Sequence, residues 1–284
     1  MTSRQIAQPP DVTGVRWPHT VGVAVKSVCV LLLLLPLSAC ATPGLYSGQL
    51  SSYEGLEAKD GTLRTSVVRR SDKDRLADVT RVSVQPTRLA DNADTRWLTA
   101  EERAALLREV DAQLCFELTE RYSLAPTASA ADADVRVIVT RVEPTGRAAS
   151  ALSAASGFFI PGPVGVRVPG TVGGLGAEAE MVTPDGRQTA ALVWNRNATP
   201  IGTDDPSLSR IGDALQFAEP FGDTVRAVMT PEGRKSRKIE DPDPCAEYGP
   251  RFRPEGWLAS AATGLYIPGA SKAKAEKPSK EASP

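Results

Sequence analysis

The sequence predicts an α+β domain in which a mainly antiparallel sheet carries two helices packed on one face. Three observations predict it. Apolar residues alternate at period two in several short stretches. They recur at three and four over residues 100–122, and a strong turn sequence joins two of the alternating runs.

The elements follow in order. Thr65 and Val67 make a short strand, and Thr80, Val82 and Val84 place one face of a half-buried strand over residues 79–85. Thr99 and Glu102 have the spacing of a capping box, in which hydroxyl and carboxylate satisfy the first free amides of a helix. Leu107, Val110, Leu114, Leu118 and Tyr122 then continue an amphipathic helix over residues 100–122, with Cys115 beside the apolar stripe. Val135, Val137 and Val139 mark a strand within residues 134–143, ended by Pro144. Strands over residues 177–183 and 187–194 flank Thr183-Pro184-Asp185-Gly186-Arg187, where proline presets the turn and glycine accepts a positive φ. Phe217, Ala218, Phe221, Val225, Val228 and Met229 fit a final helical face, with Pro220 either kinking that helix or lying in its first turn. The expected order is β, β, α, β, β, β, α.

The organisation outside this domain is legible from composition. Residues 1–39 form a signal peptide: Lys26 precedes an apolar run containing Leu31 to Leu35, too short to span a bilayer. The run ends in Leu37-Ser38-Ala39-Cys40, the order of a bacterial lipobox. Cleavage before Cys40 and acylation of that residue are expected, and several acyl chains on one cysteine anchor stably where a single chain does not. Ala41 stands where an acidic residue would resemble an inner-membrane retention signal, so the expected location is the periplasmic leaflet of the outer membrane. The stretch ahead of Lys26 is long for an n-region, and a start codon nearer to it is the alternative. Residues 40–60, rich in Ser and Gly, are expected to be the lipidated N-terminus and a tether. Residues 61–230 are the α+β periplasmic domain, and residues 231–284 an extended C-terminal segment. Its last fifteen or so residues, with Lys272, Lys274, Lys277 and Lys280 among Ala, Ser and Pro, form a disordered tail.

Composition excludes several functions. There is one histidine, His19, ahead of the apolar run, so imidazole-based nucleophilic catalysis and most catalytic zinc sites are ruled out in the processed chain. A net charge of -1 gives no electrostatic footprint for nucleic acid. Seven glycines lie in residues 157–176, but no Lys follows them as a phosphate loop requires, so nucleotide binding is not expected; the stretch is read as a long flexible connection. No metal and no cofactor are expected.

Four candidate features remain. With Cys29 lost and Cys40 acylated, Cys115 and Cys245 are the thiols left, and an oxidising compartment favours a disulfide between them; a buried core thiol and a free surface one are the alternative. The segment containing Phe158 and Phe159 returns as one containing Leu265 and Tyr266, each ending in Pro-Gly. The two copies are either apolar tips that touch membrane or a protein partner, or edge segments packed on the core. Glu178 and Glu180 lie on one strand face and Asp204 and Asp205 on a loop. A carboxylate pair can cleave glycosides, although an alternating acidic face is ordinarily solvated.

With these elements placed, the chain resembles a bacterial lipoprotein family of unknown function, domain of unknown function 3313. The resemblance rests on the lipobox, on residues 46–56 from Tyr46-Ser47-Gly48 to Tyr53-Glu54-Gly55-Leu56, and on the strand near Val82. It extends to Ala177-Glu178-Ala179-Glu180, the Asp185-Gly186 turn and the helix around Phe217 and Phe221. It covers residues 37 to about 230 and implies an envelope lipoprotein without implying a reaction. The extension from Pro231 onward lies outside it. The expected function is a non-enzymatic outer-membrane lipoprotein, accessory or scaffold to an envelope assembly. It would be bound to the membrane through its anchor and to an envelope protein partner. A lipid-transport accessory with an apolar groove and a carboxylate-based wall hydrolase are the alternatives.

Overall fold

The computed structural model describes residues 44–59, 62, 64–146, 165–166, 172–199, 201–202, 207 and 209–249. The strands are β1 (Glu57–Ala58), β2 (Thr65–Ser71), β3 (Arg81–Val84), β4 (Arg88–Leu89), β5 (Ser123–Leu124) and β6 (Ala133–Glu143), then β7 (Gly165–Val166), β8 (Gly174–Val182), β9 (Gln188–Asn197) and β10 (Ile201–Gly202). The helices are α1 (Lys73–Asp78), α2 (Ala100–Thr119) and α3 (Gly212–Met229). Eight strands form one sheet in the order β1-β2-β9-β8-β6-β3-β5, with β4 also paired to β6; β7 and β10 pair separately.

This is the α+β arrangement expected, with a mixed sheet. The long central strands are antiparallel, while β3 runs parallel to β6 and β5, and β4 parallel to β6. The parallel pair β3 and β6 is joined through α2, because two parallel neighbours need a crossover rather than a hairpin. The hairpin between β8 and β9 turns as expected: Gly186 has φ 78°, and its N–H donates to the Thr183 carbonyl at 2.8 Å. The capping box is complete, with Glu102 N–H donating to Thr99 Oγ1 at 3.1 Å and Thr99 N–H to Glu102 Oε2 at 3.0 Å. The short helix α1, capped by Asp72, was not legible as a periodicity because six residues carry too few apolar positions.

α3 begins at Gly212, earlier than its apolar face suggests, so Pro220 lies well inside it rather than in the first turn. Asp213 opens this helix fully buried, where its Oδ2 accepts from Gly173 N–H at 2.7 Å and from Thr145 Oγ1 at 3.1 Å. A Cβ on Gly173 would fall 2.9 Å from that same oxygen, so a side chain there is excluded. The glycine-rich stretch is thus not flexible connection at its end. Gly174 and Gly176 belong to β8, and their lack of side chains lets Arg141 reach over to Asn195 and Asn197 on β9, at 3.0 and 2.6 Å.

The main core lies between the sheet and α2 and α3. Val135, Val137 and Val139 of β6, Ala177, Ala179 and Met181 of β8, and Leu192 and Trp194 of β9 meet Leu106, Val110, Leu114 and Leu118 of α2 and Phe217, Phe221 and Val225 of α3. Trp194 and Phe221 approach to 5.5 Å between ring centroids.

Two departures from the expected organisation bear on function. The opposite face of the sheet is also covered: Leu50, with Tyr53 and Leu56 alongside it, packs with Ala90, Ile138, Ala191 and Val193 in a second apolar cluster. The expected tether is therefore part of the fold from Gly44 onward, and the domain has three layers. Residues 231–249 likewise return along α2. Arg237 N–H donates to the Glu120 carbonyl at 2.9 Å, and the Arg234 guanidinium sits 4.6 Å over the Tyr122 ring. Arg234 Nη2 also donates to the carbonyls of Leu76, which already accepts from Val79 N–H, and of Ala77, in the last turn of α1.

Candidate functional site

The second face of the sheet is set by pairing register. Ile138 on β6 is opposite Glu178 on β8, which is opposite Val193 on β9, which is opposite Val68 on β2. The next row on that face is Arg136, Glu180, Ala191 and Arg70. Both glutamates thus project away from the helices, as their alternation in the sequence requires.

They are not solvated. Glu178 is 0% exposed and Glu180 1%, so the expectation of an open acidic face is corrected. The cover is the stretch from Gly44 to Leu56. Gly44 lies against Val193 so closely that a Cβ would fall 2.6 Å from Val193 Cγ1, so a side chain there would force one of the two to shift. Ser47 N–H donates to Glu178 Oε1 at 3.0 Å, while Ser47 Oγ and the Tyr53 hydroxyl both donate to Oε2, the latter at 2.9 Å. The Tyr53 oxygen in turn accepts from Gly48 N–H at 2.9 Å and from Leu50 N–H at 3.3 Å. One phenol supplies one donor and two acceptor sites, and this arrangement uses all three. Gln49 N–H donates to Ser47 Oγ, and Ser51 N–H to Glu180 Oε2 at 2.8 Å. Five successive amides, Ser47 to Ser51, thus end on side-chain oxygens rather than on a neighbouring strand.

Glu180 anchors the far end of the same network. Gln188 Nε2 donates to Glu180 Oε2 at 2.8 Å and to the Ser52 carbonyl at 3.0 Å, and Arg70 donates to Gln188 Oε1. Arg136 Nη1 stands 3.6 Å from Glu180 Oε1 and pairs with Asp134 at 3.1 Å. The partner groups satisfy the buried carboxyl oxygens, which would be costly to bury without them.

Chemically, this arrangement grips a peptide. A glycosidase pair flanks an open cleft that admits sugar and water. Here the protein's own backbone occupies that place. Ser47, Ser51, Tyr53 and Gln188 were not singled out from the sequence; the signal, such as it is, is that residues 46–56 and 177–180 both carry the family resemblance, and they meet.

The second predicted pair is joined. Cys115 on α2 and Cys245 form a disulfide with Cα atoms 5.9 Å apart, both residues buried, and Phe116 meets Tyr248 edge-to-face at 6.5 Å. Burial pushes the Tyr122 and Tyr248 hydroxyls up to about 12. Cys40, Phe158, Phe159, Asp204, Asp205, Leu265 and Tyr266 lie outside the described residues. Among those residues, no group of three or more His, Cys, Asp or Glu side chains could hold a metal ion, and no helix is long and apolar enough to cross a membrane. A polar groove of ≈ 540 Å³ runs beside Arg88, Asp134 and Arg136, and a shallower one of ≈ 470 Å³ lies by Leu98, Arg103 and Leu107.

Comparison with known proteins gives a family and no activity. The family model DUF3313, a protein of unknown function, matches residues 45–225. No curated protein matches the chain. Among solved structures, the PelC dodecamer from Paraburkholderia phytofirmans is similar at 10% identity and a TM-score of 0.35, over 59% of this chain and 99% of that one. A DUF4136 family protein from Bacteroides thetaiotaomicron is similar at 12% identity and a TM-score of 0.32, over 58% of this chain and 96% of that one.

Proposed function

The chain belongs to the DUF3313 family, and from that premise we propose that it is a non-enzymatic lipoprotein, anchored through Cys40 in the periplasmic leaflet of the outer membrane, whose domain is a scaffold or accessory for an envelope assembly. The observation that carries the reading is the short distance along the chain between the lipobox cysteine and the first seated residue. Gly44 is four positions after Cys40, and extended chain covers at most ~3.3–3.6 Å per residue, so an acylated Cys40 would be joined to the first seated residue by at most roughly 14 Å of chain. Such a short link would keep the domain close to its membrane, which suits a scaffold that meets its partners at that surface.

The alternatives draw less support. The space between sheet and helices, where a lipid carrier would need an apolar cavity, is filled by Trp194, Phe217 and Phe221. Glu178 and Glu180, the candidates for hydrolysis, are engaged by the segment that covers them.

The reading predicts that Cys40→Ser abolishes acyl incorporation and removes the protein from the outer-membrane fraction. Cross-linking and affinity capture of the wild-type lipoprotein from native envelopes is then expected to recover a defined protein partner without bound phospholipid. Retention of the Cys40→Ser protein in the outer-membrane fraction would contradict the anchor. Recovery of a transporter together with phospholipid would favour lipid transport over scaffolding.

A further inference from the structure

Among the described residues the large hydrophobic side chains left exposed are Leu45, Tyr46 and Ile239, at 43%, 49% and 38%. Two of the three are adjacent and stand five and six residues after Cys40. They are also held in place. Gly44 before them is wedged on Val193, Ser47 after them is bound to Glu178, Asn92 Nδ2 donates to the Tyr46 carbonyl at 3.2 Å, and the Tyr46 ring stacks at a tilt on Tyr53 at 5.2 Å. Their backbone is fixed on both sides, so they cannot withdraw into the core.

We propose that Leu45 and Tyr46 form a membrane contact, seated in the interfacial layer of the phospholipid leaflet that holds the Cys40 acyl chains. The proposal rests on acylation of Cys40. Given that anchor, the reach of four residues brings the leaflet to this patch, and exposed apolar surface beside a bilayer is stabilised by entering it. Leucine supplies apolar area, and tyrosine has the ring and polar tip that favour the headgroup level. The anchor and the patch together would set the tilt of the domain, a second contact that acyl chains alone do not supply.

The test uses the full lipidated chain in vesicles of phosphatidylethanolamine with a minor fraction of phosphatidylglycerol. Cys115 and Cys245 are bonded to each other and Cys40 carries the anchor, so Leu45→Cys and Tyr46→Cys each introduce one free thiol for a nitroxide; Asp185→Cys at the hairpin tip is the aqueous reference. Collisions with oxygen relative to a water-soluble nickel chelate are expected to be several-fold higher at 45 and 46 than at 185. Vesicle-bound protein with equal ratios at all three positions would overturn the proposal while leaving the anchor intact. Labels at 45 and 46 shielded from both reagents would overturn it in favour of a protein partner or a second copy on the patch. Protein that fails to float with the vesicles would overturn the anchor itself, and the membrane contact with it.

Discussion

Replacing both Cys115 and Cys245 with serine is expected to lower the stability of the folded domain by about 5 kcal/mol, the largest effect of any substitution considered. The two residues are 130 apart in sequence, and closing a loop of that length removes about that much entropy from the unfolded chain on the chain-entropy model. For a domain of this size the loss corresponds to a fall in Tm of roughly 10–20 °C. The bond also holds the return segment against α2, where Cys245 packs with Ala112 and Phe116. Thermal unfolding of the double variant against the oxidised parent measures the effect. A fall of under about 1 kcal/mol would mean that residues 231–249 dock too weakly for the bond to constrain the domain.

Glu178→Ala is expected to cost about 3–5 kcal/mol. It removes the fully buried acceptor of Ser47 N–H, Ser47 Oγ and the half-buried Tyr53 hydroxyl, and each donor left without a partner in a largely desolvated place costs about 1–3 kcal/mol. Detachment of residues 44–56 caps the loss, because the freed donors then reach water while Leu50 and its neighbours are exposed instead. Glu178→Gln keeps one carbonyl acceptor but turns an amide NH₂ toward donors, so its cost is expected to be intermediate. Denaturant unfolding of the two variants distinguishes them from the parent. An alanine variant as stable as the parent would contradict the role given to this carboxylate.

What the sequence revealed and what it concealed divide along a physical line. The helix from Ala100, its Thr99–Glu102 cap and the turn at Gly186 were legible because each is specified by residues within a few positions of one another. The parallel placement of β3 beside β6 was not, since the period of a strand says nothing about the direction of its neighbour. The segment from Ser47 to Ser51 has the composition of a linker. The acceptors of its two end amides, Ser47 and Ser51, lie 131 and 129 positions away, at Glu178 and Glu180, and no local pattern announces them. The alternation Ala-Glu-Ala-Glu, for its part, has the same appearance whether water or a distant stretch of chain covers the glutamates. The two stretches looked like separate marks of the family; in the structure they are two halves of one contact.

The central claim is that the chain is locked to the sheet from Gly44 onward, four positions after Cys40, and amide hydrogen exchange tests it most directly. The amides of residues 47–51 are predicted to exchange far more slowly than an unstructured linker, and to lose that protection in Glu178→Ala while β8 and β9 keep theirs. Exchange of these amides at the intrinsic rate in the parent protein would contradict the claim: residues 47–51 would then be a free linker rather than the cover of the sheet.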